Sequence, residues 1–493
     1  MQKILVANRG EIAMRVMRTA REMGIKTVAV YSEADRNMPF VRYADEAVCI
    51  GPALSSQSYL RGEKIIEAAK KTGAEGIHPG YGFLSENAAF SKAVADAGLI
   101  FIGPSAHSIE TMGSKIGAKQ AAKKFNVPMV PGTEEPITDI NEARKIAAGI
   151  GYPILVKASA GGGGKGMRVV NNEGEFEEQI RTAKSEALNA FGDDAVFIEK
   201  YVGAPKHIEI QLMGDQHGNY VYLFERECSI QRRHQKLIEE APSSCLTPEI
   251  RKQMGECAIA VARSCNYYGA GTVEFLVDEN LNFYFLEMNT RLQVEHCVTE
   301  MITGIDLVKE QINVARGNKL SFTQDDLKIT GHAIELRVCA EDPFNNFLPD
   351  TGKLEMYQPP KGPGVRVDDG YEEGMDIPIF YDPMIAKLVA YAATRDEAID
   401  RLCRAIDEYY IKGIQTTLEF GKWAVQTEPF RSGNFDTKFI DKYYKPEYLY
   451  VDNMEAEQVA ALLATQIWDN GRKQELSNGV ATHHISKWKM SKR

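Results

Sequence analysis

Two short alternating runs, Gly271-Thr272-Val273-Glu274-Phe275-Leu276-Val277 and Phe283-Tyr284-Phe285-Leu286, flank the turn-rich Asp278-Glu279-Asn280-Leu281-Asn282. Period-two patterning around such a turn reads as a β-hairpin. The second run continues into Glu287-Met288-Asn289-Thr290-Arg291-Leu292-Gln293-Val294-Glu295-His296, which carries too many charged and amide groups for a core. If Val277 pairs with Tyr284, Glu274 falls opposite Glu287, where facing side chains sit roughly 5 Å apart at Cβ. Two like charges there repel, so a positive group is expected between them. Asn289, two residues on and on the same face of an extended chain, adds a third oxygen. Carboxylate and amide oxygens without His or Cys suit a hard cation such as Mg²⁺, which commonly shares its shell with nucleotide phosphates. The alternative is a solvated hairpin face.

At 493 residues the chain exceeds one ordinary core, and about three domains are expected. A hydrophobic share of 44% with 26% charged residues fits a globular chain, and a net charge of -10 argues against a general nucleic-acid surface. The eight cysteines are scattered without a CxxC pair, so neither a zinc nor a redox site is expected and a reducing cytoplasm is the simplest home. Met1-Gln2-Lys3 runs straight into Ile4-Leu5-Val6-Ala7, which leaves no room for a signal peptide. No run approaches the roughly 20 apolar residues of a membrane span.

Ile4 to Ala7, Thr27 to Tyr31, Gly76 to His78 and Leu99 to Ile102 read as strands with helical patterns between several of them, which predicts a parallel, doubly wound sheet. One helix is Glu11 to Ala20, with Ile12, Ala13, Val16, Met17 and Ala20 on a 3.6-period face. The turn Asn8-Arg9-Gly10-Glu11 lacks GxGxxG, so it reads as scaffold, with Arg9 or Glu11 serving a neighbour. The loops His78 to Asn87 and Gly103 to Ser105 face the carboxyl ends of the sheet, where open α/β sheets bind ligands. Lys115 and Lys119 lie on the helix that follows, and Pro128 to Gly132 marks a boundary.

Lys157-Ala158-Ser159-Ala160-Gly161-Gly162-Gly163-Gly164-Lys165-Gly166-Met167-Arg168 comes next, and four consecutive glycines let backbone amides close on an anion. The loop lacks Gly-Lys-Ser/Thr and runs into a strand, so a hinged flap over phosphates fits better than a Walker A loop. Ala195 to Val202 is an apolar strand whose polar end, Glu199-Lys200-Tyr201-Val202, offers backbone groups to an adenine. His207-Ile208-Glu209-Ile210-Gln211-Leu212 alternates strictly, placing His207, Glu209 and Gln211 on one face. Glu225-Arg226-Glu227-Cys228-Ser229-Ile230-Gln231-Arg232-Arg233-His234-Gln235-Lys236 is the densest basic cluster and reads as an anion pocket.

A last domain begins near Gly331, where alternation puts Glu335, Arg337 and Cys339 on one face. Lys353 to Met356, Gly364 to Val367 and Met384 to Tyr391 suggest a mostly antiparallel sheet, followed by an amphipathic helix from Arg395 to Tyr410. Asn453 reads as the cap of a tail helix that stops at Gly471, with a stripe of Val459, Leu462, Leu463, Ile467 and Trp468 that either docks a partner or packs on its own domain.

Together the glycine loop, the basic cluster and Glu-Met-Asn-Thr-Arg-Leu-Gln-Val-Glu-His resemble the biotin carboxylase family of the ATP-grasp superfamily, over Met1 to about Tyr444. The resemblance implies a multidomain α/β and α+β fold. Its parts are a Rossmann-like pre-ATP-grasp domain (1–113), an ATP-grasp domain (114–330) with a mobile lid (about 132–202), a C-terminal biotin carboxylase domain (331–446) and an extension (447–493).

By the same resemblance Lys115, Lys157, Gly162, Gly163, Gly164, His207, Gln231 and His234 would contact ATP, with Glu199, Lys200, Tyr201 and Val202 at the adenine. Glu274, Glu287 and Asn289 would hold Mg²⁺ or Mn²⁺. Lys236, Arg291, Gln293 and Val294 would form the bicarbonate pocket, Glu295 would be the general base and Arg337 would stabilise the biotin enolate. The implied reaction is ATP-dependent carboxylation of biotin through carboxyphosphate. Ala160 and Lys165 stand where many relatives have glycine and arginine, and both keep the backbone cradle and the charge. The Met-Lys-Met of a biotin acceptor is absent, since Lys489-Met490 lacks the preceding Met, so biotin is expected on a separate biotin carboxyl carrier protein. The further partner implied is a carboxyltransferase subunit. A homodimer is implied. An acetyl-CoA or propionyl-CoA carboxylase is the expected assembly, pyruvate carboxylase the alternative. A ligase joining a carboxylate to an amine is disfavoured by Lys236, the Arg-x-Gln-Val-Glu run and Arg337.

Overall fold

Short runs of Val, Ile and Leu between amphipathic helices build the first sheet, as period and composition require. In the computed structural model, which describes residues 1–133, 136–137, 139–158, 167–191, 194–449 and 458–469, strands β1 (Lys3–Val6), β2 (Lys26–Ser32), β3 (Glu46–Gly51), β4 (Gly76–His78) and β5 (Ile100–Phe101) run parallel in the order β3-β2-β1-β4-β5. β3 escapes the sequence pattern because it is an edge strand with only Ile50 buried. Strand order reverses at β1, and Asn8 just beyond it donates from Nδ2 to the carbonyls of Pro79 and Tyr81 at 2.8 and 2.7 Å. That bond ties the loop after β4 to the switch point, where such sheets place ligands.

A small three-stranded sheet follows, β6 (Ile154–Ala158), β7 (Met167–Val170) and β8 (Val196–Lys200), in the order β7-β6-β8. Ile154, Val156, Val170 and Ile198 pack with Phe176, Ile180 and Ala183 of helix Phe176–Phe191 into a core of their own.

The third sheet organises the remainder. It takes β9 (Lys206–Gly214), β10 (Tyr220–Arg232), β11 (Gln235–Ala241), β12 (Gly269–Val277), β13 (Phe283–Asn289) and β14 (His332–Cys339). After the short β15 (Glu341–Asp342), β16 (Leu348–Pro349) and β17 (Met356–Gln358) it adds β18 (Val365–Asp369) and β19 (Met384–Ala392). The order is β13-β12-β9-β10-β11-β14-β19-β18, antiparallel throughout. The mostly antiparallel pairing expected for the last domain is found in β14, β19 and β18, and β14 also pairs with β11, so these strands extend the central sheet. Lys353 makes only an isolated bridge to Asp376, and β17 pairs with β20 (Tyr410–Lys412). The helix expected to reach Tyr410 ends at Asp407 because Tyr410 opens that strand.

One face of this sheet carries Ile208, Ile210, Leu212, Val273 and Phe275, packed against Met254, Ala258 and Val261 of helix Pro248–Ser264. Alternation sends His207, Glu209, Gln211, Thr272 and Glu274 to the opposite face, and all five are buried.

The hairpin register corrects the sequence reading. Val277 pairs with Phe283, not Tyr284, yet Glu274 does face Glu287, because one extra residue, Leu286, is bulged between the Phe275–Phe285 and Glu274–Glu287 pairs.

The chain divides into two units, Met1–Tyr444 and Lys445–Arg493. In the second, a helix spans 458–469, and Val459, Leu462, Leu463, Ile467 and Trp468 on it are each more than half exposed. Asn453 and Gly471, the expected ends of that helix, lie outside the described residues. Among the described residues no helix is long and apolar enough to cross a membrane.

Candidate active site

The buried polar face is organised by Arg226 of β10, which is fully buried. Its Nε donates to Glu209 at 2.5 Å, Nη1 to Gln211 and Thr299 at 2.6 and 3.1 Å, and Nη2 to Thr272 and Gln293 at 3.1 and 2.5 Å. A planar fork that spends its donors on five side chains fixes their relative positions in a way a lysine cannot.

Lys236 of β11 lies nearby and is 9% exposed. Its Nζ donates to Glu209 Oε2 at 2.5 Å, Glu295 Oε1 at 2.7 Å and Glu274 Oε1 at 3.0 Å. Burial works against the ammonium, but the three carboxylates overcome it and hold Lys236 well above the ordinary lysine range. Burial likewise disfavours the Glu295 carboxylate, and Lys236, Arg337 and Arg226 reverse this so that it lies well below the usual value. Arg337 reaches Glu295 Oε2 through Nη2 at 3.0 Å and is held through Nε by Glu239 at 2.6 Å. Gln231 faces Lys236 across the β10–β11 ladder, and the turn between them holds Arg233 and His234 at φ 49° and 68°. Two consecutive non-glycine residues in the left-handed region are strained, a feature that concentrates at functional sites.

The segment after β13 brings its residues in by different routes. Arg291 donates from Nε to Glu86 at 2.7 Å and from Nη2 to Asn289 Oδ1 at 2.9 Å. Gln293 Nε2 donates to Glu274 Oε1 at 3.0 Å, and Lys387 of β19 donates to the Val294 carbonyl at 2.9 Å. The sequence-predicted Lys236, Arg291, Gln293, Glu295 and Arg337 thus share one hydrogen-bonded system through Glu274, Asn289 and Glu295, while Val294 is held separately by Lys387.

Glu274 and Glu287 face each other as expected, Glu274 buried and Glu287 exposed at the edge strand. Glu274 itself bonds Lys236 and lies 3.0 Å through Oε2 from His207 Nε2, two positive partners on one of the two carboxylates and not between them. Two carboxylates and an amide from adjacent strands are an all-oxygen donor set, and it fits a hard divalent cation. Asn289 turns its Nδ2 to Glu274 at 2.9 Å, so presenting its oxygen to a shared cation takes a half-turn of the amide.

The nucleotide candidates are more dispersed. Glu199 draws in Lys157 and also Lys119, the latter at 2.7 Å. The amides of Lys200 and Tyr201 donate to the carbonyls of Pro131 and Pro153 at 2.7 and 3.2 Å. Val202 is half-buried, and His234 is exposed at the β10–β11 turn. Lys115 opens helix Lys115–Lys123 with its side chain outside the described residues, and Gly162, Gly163 and Gly164, with Ala160 and Lys165, lie outside them too.

Residues that sequence reasoning did not assign include Arg226, Glu86, Glu239 and Lys387. Arg226 lies inside the basic cluster and Glu239 at the end of an apolar run, with no strict alternation to mark either; Glu86 reaches the site from the loop after β4 and Lys387 from β19, distant in the chain. Arg9 and Glu11 do serve neighbours: Arg9 forks onto Asp35 at 2.7 and 2.8 Å, and Glu11 lies 3.3 Å from Lys387.

Comparison with known proteins bears directly on this geometry. The chain matches the family models "Biotin carboxylase, N-terminal domain" over 1–109, "Carbamoyl-phosphate synthase L chain, ATP binding domain" over 114–323 and "Biotin carboxylase C-terminal domain" over 335–442. It is 56% identical over 441 residues to a pyruvate carboxylase subunit of Methanothermobacter thermautotrophicus, covering 90% of each chain. It is 49% identical over 498 residues to the propionyl-CoA carboxylase alpha chain of Rattus norvegicus, covering 99% of this chain and 68% of that one; of the human alpha chain the match spans 61%. The biotin carboxylase domain of a thermophilic 2-oxoglutarate carboxylase bound to bicarbonate superposes with a TM-score of 0.87 at 45% identity, covering 91% of this chain and 99% of that one. A three-part match along the chain, beside the close similarity to biotin-dependent carboxylase subunits, makes this chain a member of the biotin carboxylase family, an ATP-dependent ligase of the biotin-dependent carboxylases.

Proposed function

We propose that the chain is the biotin carboxylase component of a multi-subunit carboxylase of acyl-CoA, acting on acetyl-CoA or propionyl-CoA. Biotin is presented by a separate carrier protein, and the carboxyl group is passed on by a carboxyltransferase. The observation that carries the acyl-CoA choice is the reach of the match: similarity to the propionyl-CoA carboxylase alpha chain of Rattus norvegicus takes in 99% of the chain, including the extension beyond Tyr444. Pyruvate carboxylase is the second reading, favoured by the higher identity to the Methanothermobacter thermautotrophicus chain, which is of comparable length. A homodimer is proposed as well, in line with the Hydrogenobacter thermophilus 2-oxoglutarate carboxylase domain, described as a dimer with MgADP and bicarbonate.

Bicarbonate enters the anion pocket between Lys236, Arg291, Gln293 and the Val294 backbone. Its charge competes with Glu295 for Lys236 and Arg337, the cations that hold the Glu295 carboxyl low. As those cations turn to the substrate, and as a second negative charge arrives, the proton affinity of Glu295 rises. The base is therefore armed by the substrate it deprotonates, which satisfies the need for matched geometry before matched pKa.

With its proton on Glu295, the bicarbonate oxygen attacks the γ-phosphorus of ATP and the bond to ADP breaks, giving carboxyphosphate. Lys115, Lys157, His207, Gln231 and His234 hold the nucleotide, and a divalent cation on Glu274, Glu287 and Asn289 would offset charge on the transferring phosphoryl group. The lid excludes water while carboxyphosphate breaks down to CO₂ and phosphate. Phosphate removes the N1 proton of biotin, Arg337 stabilises the resulting enolate oxygen, and N1 attacks CO₂.

The test is ATP cleavage and carboxybiotin formation with bicarbonate and free biotin, followed by copurification of native partners and assay of each acyl acceptor. ATP cleavage indifferent to bicarbonate and biotin would overturn the reading. Glu295→Ala should bind ATP nearly as wild type yet form no carboxybiotin.

A further inference from the structure

Directly behind Arg337, two carboxylates face each other across the β11–β14 ladder: Glu239 pairs in register with Glu335, and both are fully buried. Directly opposed side chains lie roughly 4.5–5.5 Å apart at Cβ. Only Oε1 of Glu239 has a donor, Arg337 Nε at 2.6 Å; among the described residues neither Glu239 Oε2 nor either oxygen of Glu335 has a hydrogen-bond partner. Buried acceptors left so are costly, and two facing charged ones are costlier.

The cations nearby are already committed. Arg337 divides its donors between Glu239 and Glu295, Lys236 serves Glu209, Glu274 and Glu295, and Lys387 donates to the Val294 carbonyl beside Glu11. The donor still lacking is a proton on the pair itself.

We propose that Glu239 and Glu335 share one proton and together position Arg337, the neutral Glu335 carboxyl donating to Glu239 Oε2 so that Glu239 keeps its charge for Arg337. The functional half of this rests on the biotin carboxylase reading. Burial pushes Glu335 well above the ordinary carboxyl range, with Glu239 and Glu295 adding to it and Lys387 and Arg337 opposing; burial likewise pushes Glu239 up to about 7. The titratable and charged groups facing the pair are Lys236 on β11, Arg337 and Cys339 on β14, Lys387 on β19, Cys228 on β10, Cys297 in helix His296–Thr303 and Glu295 ahead of it.

The pair titrates as a unit. While it holds its proton, Arg337 is anchored at one end by a single charge and its other nitrogen is free to leave Glu295 for the biotin enolate. When the proton is lost at alkaline pH, a second negative charge draws the guanidinium back, and biotin loses its partner. Glu239 and Glu335 are thus positioning residues acting through Arg337.

Infrared difference spectra of wild type against Glu335→Gln at pH 8 should contain a protonated-carboxyl C=O band that the variant lacks; its absence from wild type overturns the proposal without reference to activity. In parallel, the pH profile of kcat/KM for free biotin is compared. Glu335→Gln, uncharged at every pH, should move the alkaline limb upward by about one pH unit, a tenfold effect at a fixed alkaline pH, with the KM for ATP unmoved. Superimposed profiles overturn the positioning role. Should Glu335→Gln fail to fold, Glu239→Gln serves both measurements: it should shift the band, which Glu335 then carries without its charged acceptor, and raise the KM for biotin more than it lowers kcat, and an unshifted band overturns the shared proton. A wild type that forms no carboxybiotin would fail the functional reading instead, while the infrared result would still decide the shared proton.

Discussion

Lys236 Nζ lies 2.7 Å from Glu295 Oε1 and simultaneously bonds Glu209 and Glu274 at 2.5 and 3.0 Å, so one buried ammonium joins the proposed base, the proposed metal-face carboxylate and the anchor of Arg226. Removing it strands three carboxylates. Lys236→Met should cost roughly 3–5 kcal/mol of stability, read from urea unfolding. Bicarbonate-dependent ATP cleavage should fall at least about a hundredfold, as expected when a fixed charge leaves a desolvated site. A variant of wild-type stability would show that the carboxylates are not ionised together.

The same ion pairs set a pH signature. The folded-state carboxyls of Glu274 and Glu295 lie well below the ordinary 4.5, so their contribution is fully present above about pH 4.5 and is lost as pH falls from there toward the depressed values. The stability gap between wild type and Glu295→Gln should therefore be constant from pH 8 to about 5 and close at lower pH. A gap that opened on acidification would reverse the assigned direction.

Arg226 contacts five side chains, of which only Gln293 belongs to the proposed bicarbonate pocket. Arg226→Lys keeps the charge and loses the fork, so it should destabilise by about 3 kcal/mol and raise the KM for bicarbonate more than it lowers kcat. An equal fall in kcat with unchanged KM would instead place Arg226 in the transition state.

These residues also mark how far the sequence could be read. Alternation in His207 to Leu212 located the polar face, and the facing pair Glu274–Glu287 followed from two runs and a turn, because local periodicity is stored locally. The sheet that joins β14 to β11 was not legible: pairing between strands so distant in the chain leaves no periodic trace, so the mostly antiparallel sheet of the last domain carried no sign of its partner strand. Glu86 and Lys387 were missed for the same reason, since each reaches the site from a distant part of the chain to hold Arg291 and Val294. Arg226 was visible within the basic cluster, but burial could not be inferred from a segment in which neighbouring Arg233 and His234 are exposed.

The bulge at Leu286 supplies the last prediction. A one-residue slip sends every side chain to the opposite face of a strand, and because Leu286 is bulged out, Glu287 and not Leu286 faces Glu274 after Phe285 pairs with Phe275. Deleting Leu286 should make the ladder regular and still set Glu287 opposite Glu274 and Met288 opposite Val273, so it removes the bulge and keeps the charge on that face. Glu287→Gln, at an exposed position, removes only the charge. Glu287→Gln should raise the Mg²⁺ concentration needed for half-maximal ATP cleavage by about tenfold, the size of losing one charged ligand interaction of ~1.4 kcal/mol, with the KM for biotin held, while the deletion should leave the Mg²⁺ response far closer to wild type. Only the deletion should move the urea midpoint, since it alone alters the backbone of the ladder. If Glu287→Gln responds to Mg²⁺ like wild type, the cation is not held at this hairpin, and the facing carboxylates instead serve Lys236 and His207 alone.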